Sequence, residues 1–367
     1  MPLFMDFHKF DNITVEAVKT AHIADLGVQD QYGVKYHQFW VNEEQGTVFC
    51  LTEGPDKETC EKVHQIAHGN VACALTEVET GIYEKLMGKA YTVDHGHVQR
   101  ADGTADLGYR SILAASVYGV THATGLKDIS LLLSSNWAKK RITDTIAAFN
   151  GRVLVWGTDA SLTGIFDDAT QAVQCAVQIR HELLQPPAKV SKVILKIGLN
   201  ASQPVTAQGD FFNEAIKLTH RLSRMAQYNQ ILISALVKKL CKEEHLLSAS
   251  YAVKSLQLED EEFISNLMHV AEAKLLDQHF DLNSISSQIC MSRPQLYRKI
   301  IALTGRSPHA FILDLRMDKA MALLRQKNIN IAEIAYQTGF NSPSYFTKCF
   351  AEKFGCTPSL FAKINVA

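Results

Sequence analysis

Residues Ile331–Phe361 read IAEIAYQTGFNSPSYFTKCFAEKFGCTPSLF. Ile334 and Ala335 fall on one helical face. Gly339 follows them, and a residue without a β-carbon suits the left-handed backbone of a sharp helix end. Phe340 plugs the turn. Asn341 or Ser342 can cap a second helix, and Pro343 suits its first turn. That helix turns Phe346 and Phe350 inward, four residues apart, and leaves Ser344, Tyr345 and Lys348 outside. A helix, a tight glycine turn and a capped helix with an open polar face make a helix-turn-helix. An ordinary pair of antiparallel helices fits this stretch alone equally well.

A second copy of the plan decides between them. Ile285–Phe311 repeats it, at an offset of 49 before the turn (Ile285 with Ile334, Gln288 with Gln337, Met291 with Phe340) and of 50 after it (Leu296 with Phe346, Arg298 with Lys348, Ile300 with Phe350). Gly305, Ser307, Pro308 and Phe311 then match Gly355, Thr357, Pro358 and Phe361. Internal repetition of this length marks a duplicated unit, here with one residue inserted at the second turn. Ile312, Leu315, Ala320 and Leu323 form a helical stripe between the copies, so a helix sets their spacing. Two units held this way can enter successive major grooves on one face of a duplex, roughly 34 Å apart.

These residues resemble the DNA-binding domain of AraC-type transcription regulators over about 261–367. The resemblance implies a first reading helix from Ser292 to about Leu303, with Pro294, Tyr297 and Arg298 facing the bases, and a second with Pro343, Ser344, Tyr345 and Lys348 in that role. Arg298 can grip guanine with two parallel hydrogen bonds, whereas Lys348 offers a point charge where the family often has Arg.

Charge is divided along the chain. The net charge of -1 hides 5 Lys, no Arg and 13 acidic residues in 1–80, a net of -8, against 12 basic and 9 acidic residues in 261–367, a net of +3. Phosphate contacts need local positive charge, so only the tail suits DNA. At 367 residues and 47% hydrophobic content the chain has room for two or three domains with real cores. The eight Cys include no CxxC pair and read as reduced thiols of a cytoplasmic protein. Neither a signal peptide nor a membrane span is legible.

Residues 1–80 read as strand Leu3–Phe10, helix Thr14–Gln31, strands Val34–Val41 and Thr47–Glu53 around the turn signal NEEQG, helix Pro55–His68 and strand Val71–Glu79. That order is ferredoxin-like. Five of the fourteen histidines lie here: His8, His22, His37, His64 and His68. His64 and His68 are four apart on one helical face, a spacing that holds a metal ion or simply lies in solvent. Asp6 and His8 share a strand face, and His22 and Asp25 lie three apart on the first helix. The stretches MPLFMDFH, AHIADL, YGVKYHQFW and PDKETCEKVHQIAHG resemble a family of small bacterial ferredoxin-like proteins that bind nickel. By that resemblance the expected ligands are His8, His22, His64 and His68, with His37 and Cys60 in reserve, and nickel is the expected metal ahead of copper or zinc.

Residues 81–107 read as a connector, with His95 and His97 as solvated loop residues. From residue 108 to about 245 the order of elements resembles the catalytic domain of class III nucleotide cyclases, carried by GRVLVWGTDASLTGIF, AVQCAVQIRHEL and GDFFNEAIKLTHRLSRMAQYNQILIS. The family's two metal-binding Asp fall on Ser116 and on Asp159 or Ala160, and its Asn falls on Lys217, whereas its Arg is kept as Arg221. Phosphoryl chemistry on a nucleotide triphosphate needs the paired charge, so no cyclase activity is expected. Arg221 reads as an anion site or as an ion-paired surface residue. The resemblance implies a homodimer. Residues 245–260 read as a structured passage between helices.

The expectation is a multidomain chain: an α+β ferredoxin-like metal-binding domain (1–80), an α/β cyclase-like dimerisation domain (108–245) and an all-α tail with two helix-turn-helix units (261–367). Its expected function is metal-responsive transcription regulation on double-stranded DNA. The alternatives are a regulator whose cyclase-like domain senses a nucleotide or other small molecule, and an active divergent cyclase.

Overall fold

The computed structural model describes residues 1–90, 92–119, 129–156, 161–187, 193–248, 252–325 and 330–366. They pack as two units, Met1–Ser111 with Ala201–Ile216, and Ile112–Asn200 with Lys217–Ala367.

The first unit begins with β1 (Leu3–Lys9), α1 (Val15–Val28), β2 (Lys35–Asn42), β3 (Thr47–Glu53), α2 (Lys57–Ala67) and β4 (Ala74–Val78). The strands pair in the order β4-β1-β3-β2, all antiparallel, which is the ferredoxin-like arrangement expected. Thr14 caps α1 by accepting from the Ala17 amide at 3.2 Å, and Asp56 caps α2 by accepting from the Thr59 amide at 2.8 Å. Between β2 and β3 the turn closes on Gly46 at φ +61°, where a β-carbon would meet the Phe10 carbonyl oxygen at 2.0 Å. One apolar cluster joins Phe4, Val34, Tyr36, Cys60 and Val63, and another Val18, Phe39, Val41 and Val48.

The expected connector is structured. It forms α3 (Thr80–Met87), β5 (Thr92–Asp94) and β6 (His97–Gln99), and β6 joins β2 to make a sheet of six strands. Its composition, rich in Gly, Asp and His, hides a two-residue hairpin turn. His95 at φ +48° and Gly96 at φ +90° give the doubly left-handed geometry that matches strand twist. His95 is exposed as expected, but His97 is buried, 4% exposed, and stacks on Phe39 with ring centroids 5.5 Å apart. Downstream, the Arg110 guanidinium donates to Asp106 and to the Met87 carbonyl oxygen, a buried knot that ties the end of α3 to the chain after β6.

The second sheet runs β12-β11-β10-β7-β9-β8. Its elements are β7 (Arg110–Gly119), α4 (Ile129–Ala148), β8 (Arg152–Trp156), β9 (Ser161–Phe166), α5 (Ala169–Leu183), β10 (Val193–Ser202), α6 (Asn213–Met225), β11 (Gln230–Ile233), α7 (Ala235–Leu240), α8 (Glu244–Ser248) and β12 (Val253–Ser255). β10 and β11 are parallel because α6 carries the chain back between them. Gly198 lets α6 lie close, since a β-carbon there would sit 2.4 Å from the Thr219 oxygen and the Ser223 nitrogen. Part of the passage expected between helices is a strand: β12 pairs in parallel with β11. Asp159 and Ala160 lie outside the described residues.

The tail is helical: α9 (Leu258–Lys274), α10 (Leu282–Gln288), α11 (Arg293–Thr304), α12 (Pro308–Leu324), α13 (Ile331–Gln337), α14 (Pro343–Phe354) and α15 (Pro358–Val366). The helix starts repeat at the offsets read from the sequence, 49 for α10 and α13 and 50 for α11 and α14.

Candidate metal cavity and DNA-reading surface

One strand and two helices of the first unit converge on a cluster of imidazoles and carboxylates. β1 supplies Asp6 and His8, α1 supplies His22 and Asp25, and the end of α2 supplies His64 and His68. His64 is the hub. Its Nε2 lies 2.9 Å from Asp6 Oδ2, and its Nδ1 lies 3.2 Å from Asp25 Oδ1 and 3.1 Å from His68 Nε2. His8 Nε2 lies 3.4 Å from Asp6 Oδ2, and His68 Nε2 lies 3.2 Å from Asp25. Two overlapping sets therefore bring their donor atoms within 4.8 Å of one another: Asp6, His8 and His64, and Asp25, His64 and His68. A cavity of about 100 Å³ runs beside them, lined in part by His8, His22, His64 and His68.

Burial sets the electrostatics. Asp6 is fully buried, which alone would raise its carboxyl, yet the His8 charge and hydrogen bonds from His64 and His8 hold it well below the usual carboxylate range. Asp25 is likewise raised by burial and lowered, on balance, by His64 and His68. Burial pushes His64 down, but Asp25 and Asp6 pull it up to about 10. His22 is lowered by its burial. Two buried ring nitrogens, His8 Nδ1 and His22 Nδ1, have no hydrogen-bond partner. Imidazole and carboxylate donors beside a small cavity, with buried nitrogens unmatched, form a donor set that fits a divalent transition metal.

All four expected ligands line this cavity, although His22 stands outside the two tight sets. The reserve residues do not. His37 faces Glu53 at 3.4 Å, and Cys60 packs beside Val34, Tyr36 and Val63, its thiol pushed up to about 12 by burial. Asp6 and Asp25 were not among the expected ligands. Each lies two or three residues from a chosen His, and that spacing was the available signal.

In the tail, the two helices expected to read DNA, α11 and α14, start and stop alike. Ser292 precedes α11, with the Gln295 side chain accepting from its amide and hydroxyl, and Ser342 caps α14 by accepting from the Tyr345 amide. Both helices end on left-handed glycines, Gly305 at φ +67° and Gly355 at φ +72°. Leu296, Ile300, Phe346 and Phe350 are buried. On the open faces Pro294, Tyr297, Arg298, Ser344, Tyr345 and Lys348 are exposed, and Pro343 is half-buried. A cavity of about 510 Å³ between the copies reaches both Tyr297 and Tyr345. The turns differ. Cys290 holds φ +51° where the second copy has Gly339 at φ +80°.

In the second sheet the first cyclase position, Ser116, is buried with its hydroxyl 3.1 Å from that of Ser223. Arg221 donates to Glu272 of α9 at 2.8 Å, the ion-paired alternative of the two read from the sequence.

Residues 285–364 match the family described as helix-turn-helix domain, and residues 4–78 the one described as nickel responsive protein SCO4226-like. The tail is an AraC-type helix-turn-helix domain. Among curated relatives, the chain is 35% identical to histidine kinase P4 of Formosa agariphila over 34% of this chain and 9% of that protein. It is 28% identical to the uncharacterized HTH-type transcriptional regulator YidL of Escherichia coli over 44% of this chain and 53% of that one. The chain thus spans about half or less of the length of these relatives. Among solved structures, SCO4226 from Streptomyces coelicolor is 39% identical, covering 21% of this chain and 94% of that one, at a TM-score of 0.20. An adenylate/guanylate cyclase/hydrolase from Silicibacter pomeroyi is 26% identical, covering 36% and 78%, at a TM-score of 0.30.

The helix-turn-helix domain shares its core with the second sheet. Leu222, Met225 and Leu232 pack with Phe263, Leu267, Leu296 and Ile300. Arg306, just after the first reading helix, donates to the carbonyl oxygens of Arg224 and Met225 at 3.1 Å and of Ala226 at 3.2 Å, and pairs with Asp314. Lys353, in the last turn of the second reading helix, pairs with Asp314 at 2.9 Å and Asp318 at 3.4 Å. A guanidinium over three orphan carbonyls at a helix C-terminus is a strong charge-assisted cap. Nothing in the spacing of Arg306 announces it.

Proposed function

We propose that this chain is a sequence-specific DNA-binding transcription regulator whose N-terminal domain binds a transition metal, nickel before copper or zinc, and whose DNA binding responds to that metal. The observation that carries it is the joining, in one chain, of a buried histidine–aspartate cavity to a duplicated helix-turn-helix with open reading faces. His8, His64 and His68, with Asp6 and Asp25, would hold the ion, and His22 would complete the set. When bound, a divalent ion supplies the positive charge that two buried carboxylates otherwise draw from protonated imidazole. In the tail, Arg298 reads a base edge, Lys348 adds positive charge, and Pro294, Tyr297, Pro343, Ser344 and Tyr345 complete the two faces. The middle section pairs two chains and is not an enzyme. Ser116 and Lys217 stand where cyclase chemistry needs an acid and an amide, and Arg221 is committed to Glu272.

Titration of the full chain with nickel, copper and zinc, followed by footprinting on bound DNA with and without metal, tests the reading. The expected result is nickel binding far tighter than millimolar and a footprint that changes with occupancy. Binding no tighter than millimolar for all three ions removes the metal response and leaves the DNA reading standing. Incubation with ATP or GTP and manganese is expected to give no cyclic product, and product would overturn the reading of the middle section.

A further inference from the structure

The hairpin β5–β6 lies beyond the residues that match the nickel-responsive family, which end at 78. It rests on a ring of the metal cavity. A β-carbon at Gly96 would sit 2.5 Å from both Cδ2 and Nε2 of His22, and 2.8 Å from Cε1 of Phe39. The hairpin is fixed there at three points. The Phe39 amide donates to the Gly96 carbonyl oxygen at 2.7 Å, His97 stacks on Phe39, and Asp94 pairs at 2.8 Å with Lys19, one helical turn before His22. Phe39 in turn lies 5.2 Å from the His22 ring, centroid to centroid. On an imidazole the Cδ2–Nε2 edge is opposite Nδ1. The edge that touches Gly96 therefore leaves Nδ1 directed away from the hairpin, and this is the buried nitrogen without a hydrogen-bond partner.

We propose that the β5–β6 hairpin is a backstop for His22. Gly96 fixes the ring with Nδ1 as the nitrogen offered to a transition metal, so metal loading and the order of residues 93–99 are coupled. The proposal rests on the metal reading of the cavity. Gly96 is a positioning residue here. Its missing side chain makes room for the ring, and its positive φ is one that other residues rarely adopt. Through the hairpin, the state of the cavity reaches chain that lies outside the ferredoxin-like unit itself.

The test uses the full chain, with nickel as the probe. Nickel affinity is measured by calorimetry for the wild type, Gly96→Ala and Asp94→Asn, and amide exchange of residues 93–99 is measured with and without nickel. Support positions around metal ligands typically change affinity 10- to 100-fold when lost. Gly96→Ala is expected to weaken nickel binding at least tenfold, Asp94→Asn to weaken it severalfold, and nickel to slow exchange of 93–99 in the wild type. Asp94→Asn only loosens a half-buried ion pair, so it carries the test where Gly96→Ala does not fold. If the wild type binds no nickel, the metal reading itself is lost. If the wild type binds nickel, while either folded variant binds it equally well and exchange of 93–99 is unmoved, the backstop is refuted and the metal reading stands.

Discussion

In the first helix-turn-helix copy, Leu296 and Ile300 pack into a core that includes Leu222, Met225 and Leu232 of α6 and β11. In the second, Phe346 and Phe350 pack with Phe340, Phe354 and the α12 residues Met317 and Met321. Phe350 and Phe354 lie 4.6 Å apart, centroid to centroid, within an aromatic run that stays inside the tail. Both copies have the same serine at the helix start and the same left-handed glycine at its end. Duplication preserved the local frame, but what each frame packs against differs. The aliphatic copy is part of a larger body, while the aromatic copy largely completes itself.

The strongest way to break this contrast is to empty each core. Phe350→Ala should cost about 3–5 kcal/mol and Ile300→Ala about 2–5 kcal/mol. Amide exchange should show Phe350→Ala opening α13 and α14 while α6 stays protected. Ile300→Ala should open α6 and β11 together with α11. Protection of α6 that survives Ile300→Ala would end the claim that the first copy is fused to the sheet.

A second test probes where the copies meet. Lys196 on β10 is 1% exposed, and its ammonium has no hydrogen-bond partner. Burial pushes it from 10.5 down to about 8, against the pull of Asp318. Below pH 8 the folded and unfolded chains both hold the proton, and the fold carries a buried charge. Between pH 8 and 10.5 the folded chain releases it first, so that penalty fades as pH rises. Lys196→Met should therefore be more stable than the wild type by on the order of 3 kcal/mol at pH 7. The advantage should shrink steadily as pH rises from 8 to 10.5. A difference in denaturant midpoint that stays constant from pH 7 to 10.5 would show that the lysine is not carrying its charge there.

The smallest effects distinguish the reading faces. Arg298→Ala should weaken specific DNA binding by about 2 kcal/mol, within the range for a two-point base contact. Lys348→Ala should cost about 1 kcal/mol, because an ammonium is a single point of charge. Quantitative footprinting compares them. A larger loss for Lys348→Ala would reverse the assignment of roles between the copies.

Much of this was legible in the chain. Periodicity, caps and glycines gave both helix pairs and their one-residue offset, because those signals are local. The ferredoxin-like order was readable for the same reason. The cavity was half legible. HxxxH marked His64 and His68, but which carboxylates oppose them depends on how β1 and α1 face α2, and no spacing carries that. His97 was misread because composition outweighed a two-residue turn. β12, only three residues long, is too short to show a period. Lys196 looks like the polar member of an alternating strand, yet the strand is covered on both faces. Arg306 is an ordinary loop arginine until α6 is folded against it.

Only Leu256 and Gln257 separate β12 from α9, the first helix of the tail. Two residues reach about 7 Å at most, and Leu256 is itself 1% exposed. The joint has no slack. Two such chains, paired through their sheets, would hold their reading helices like a calliper locked at one opening. A target with half a helical turn, about 5 bp, inserted between its half-sites would present the second one on the far side of the duplex. A chain on a long tether could swing round to reach it. A pair of these chains would give up that freedom of spacing, and rotational phase along the DNA would become part of what it recognises.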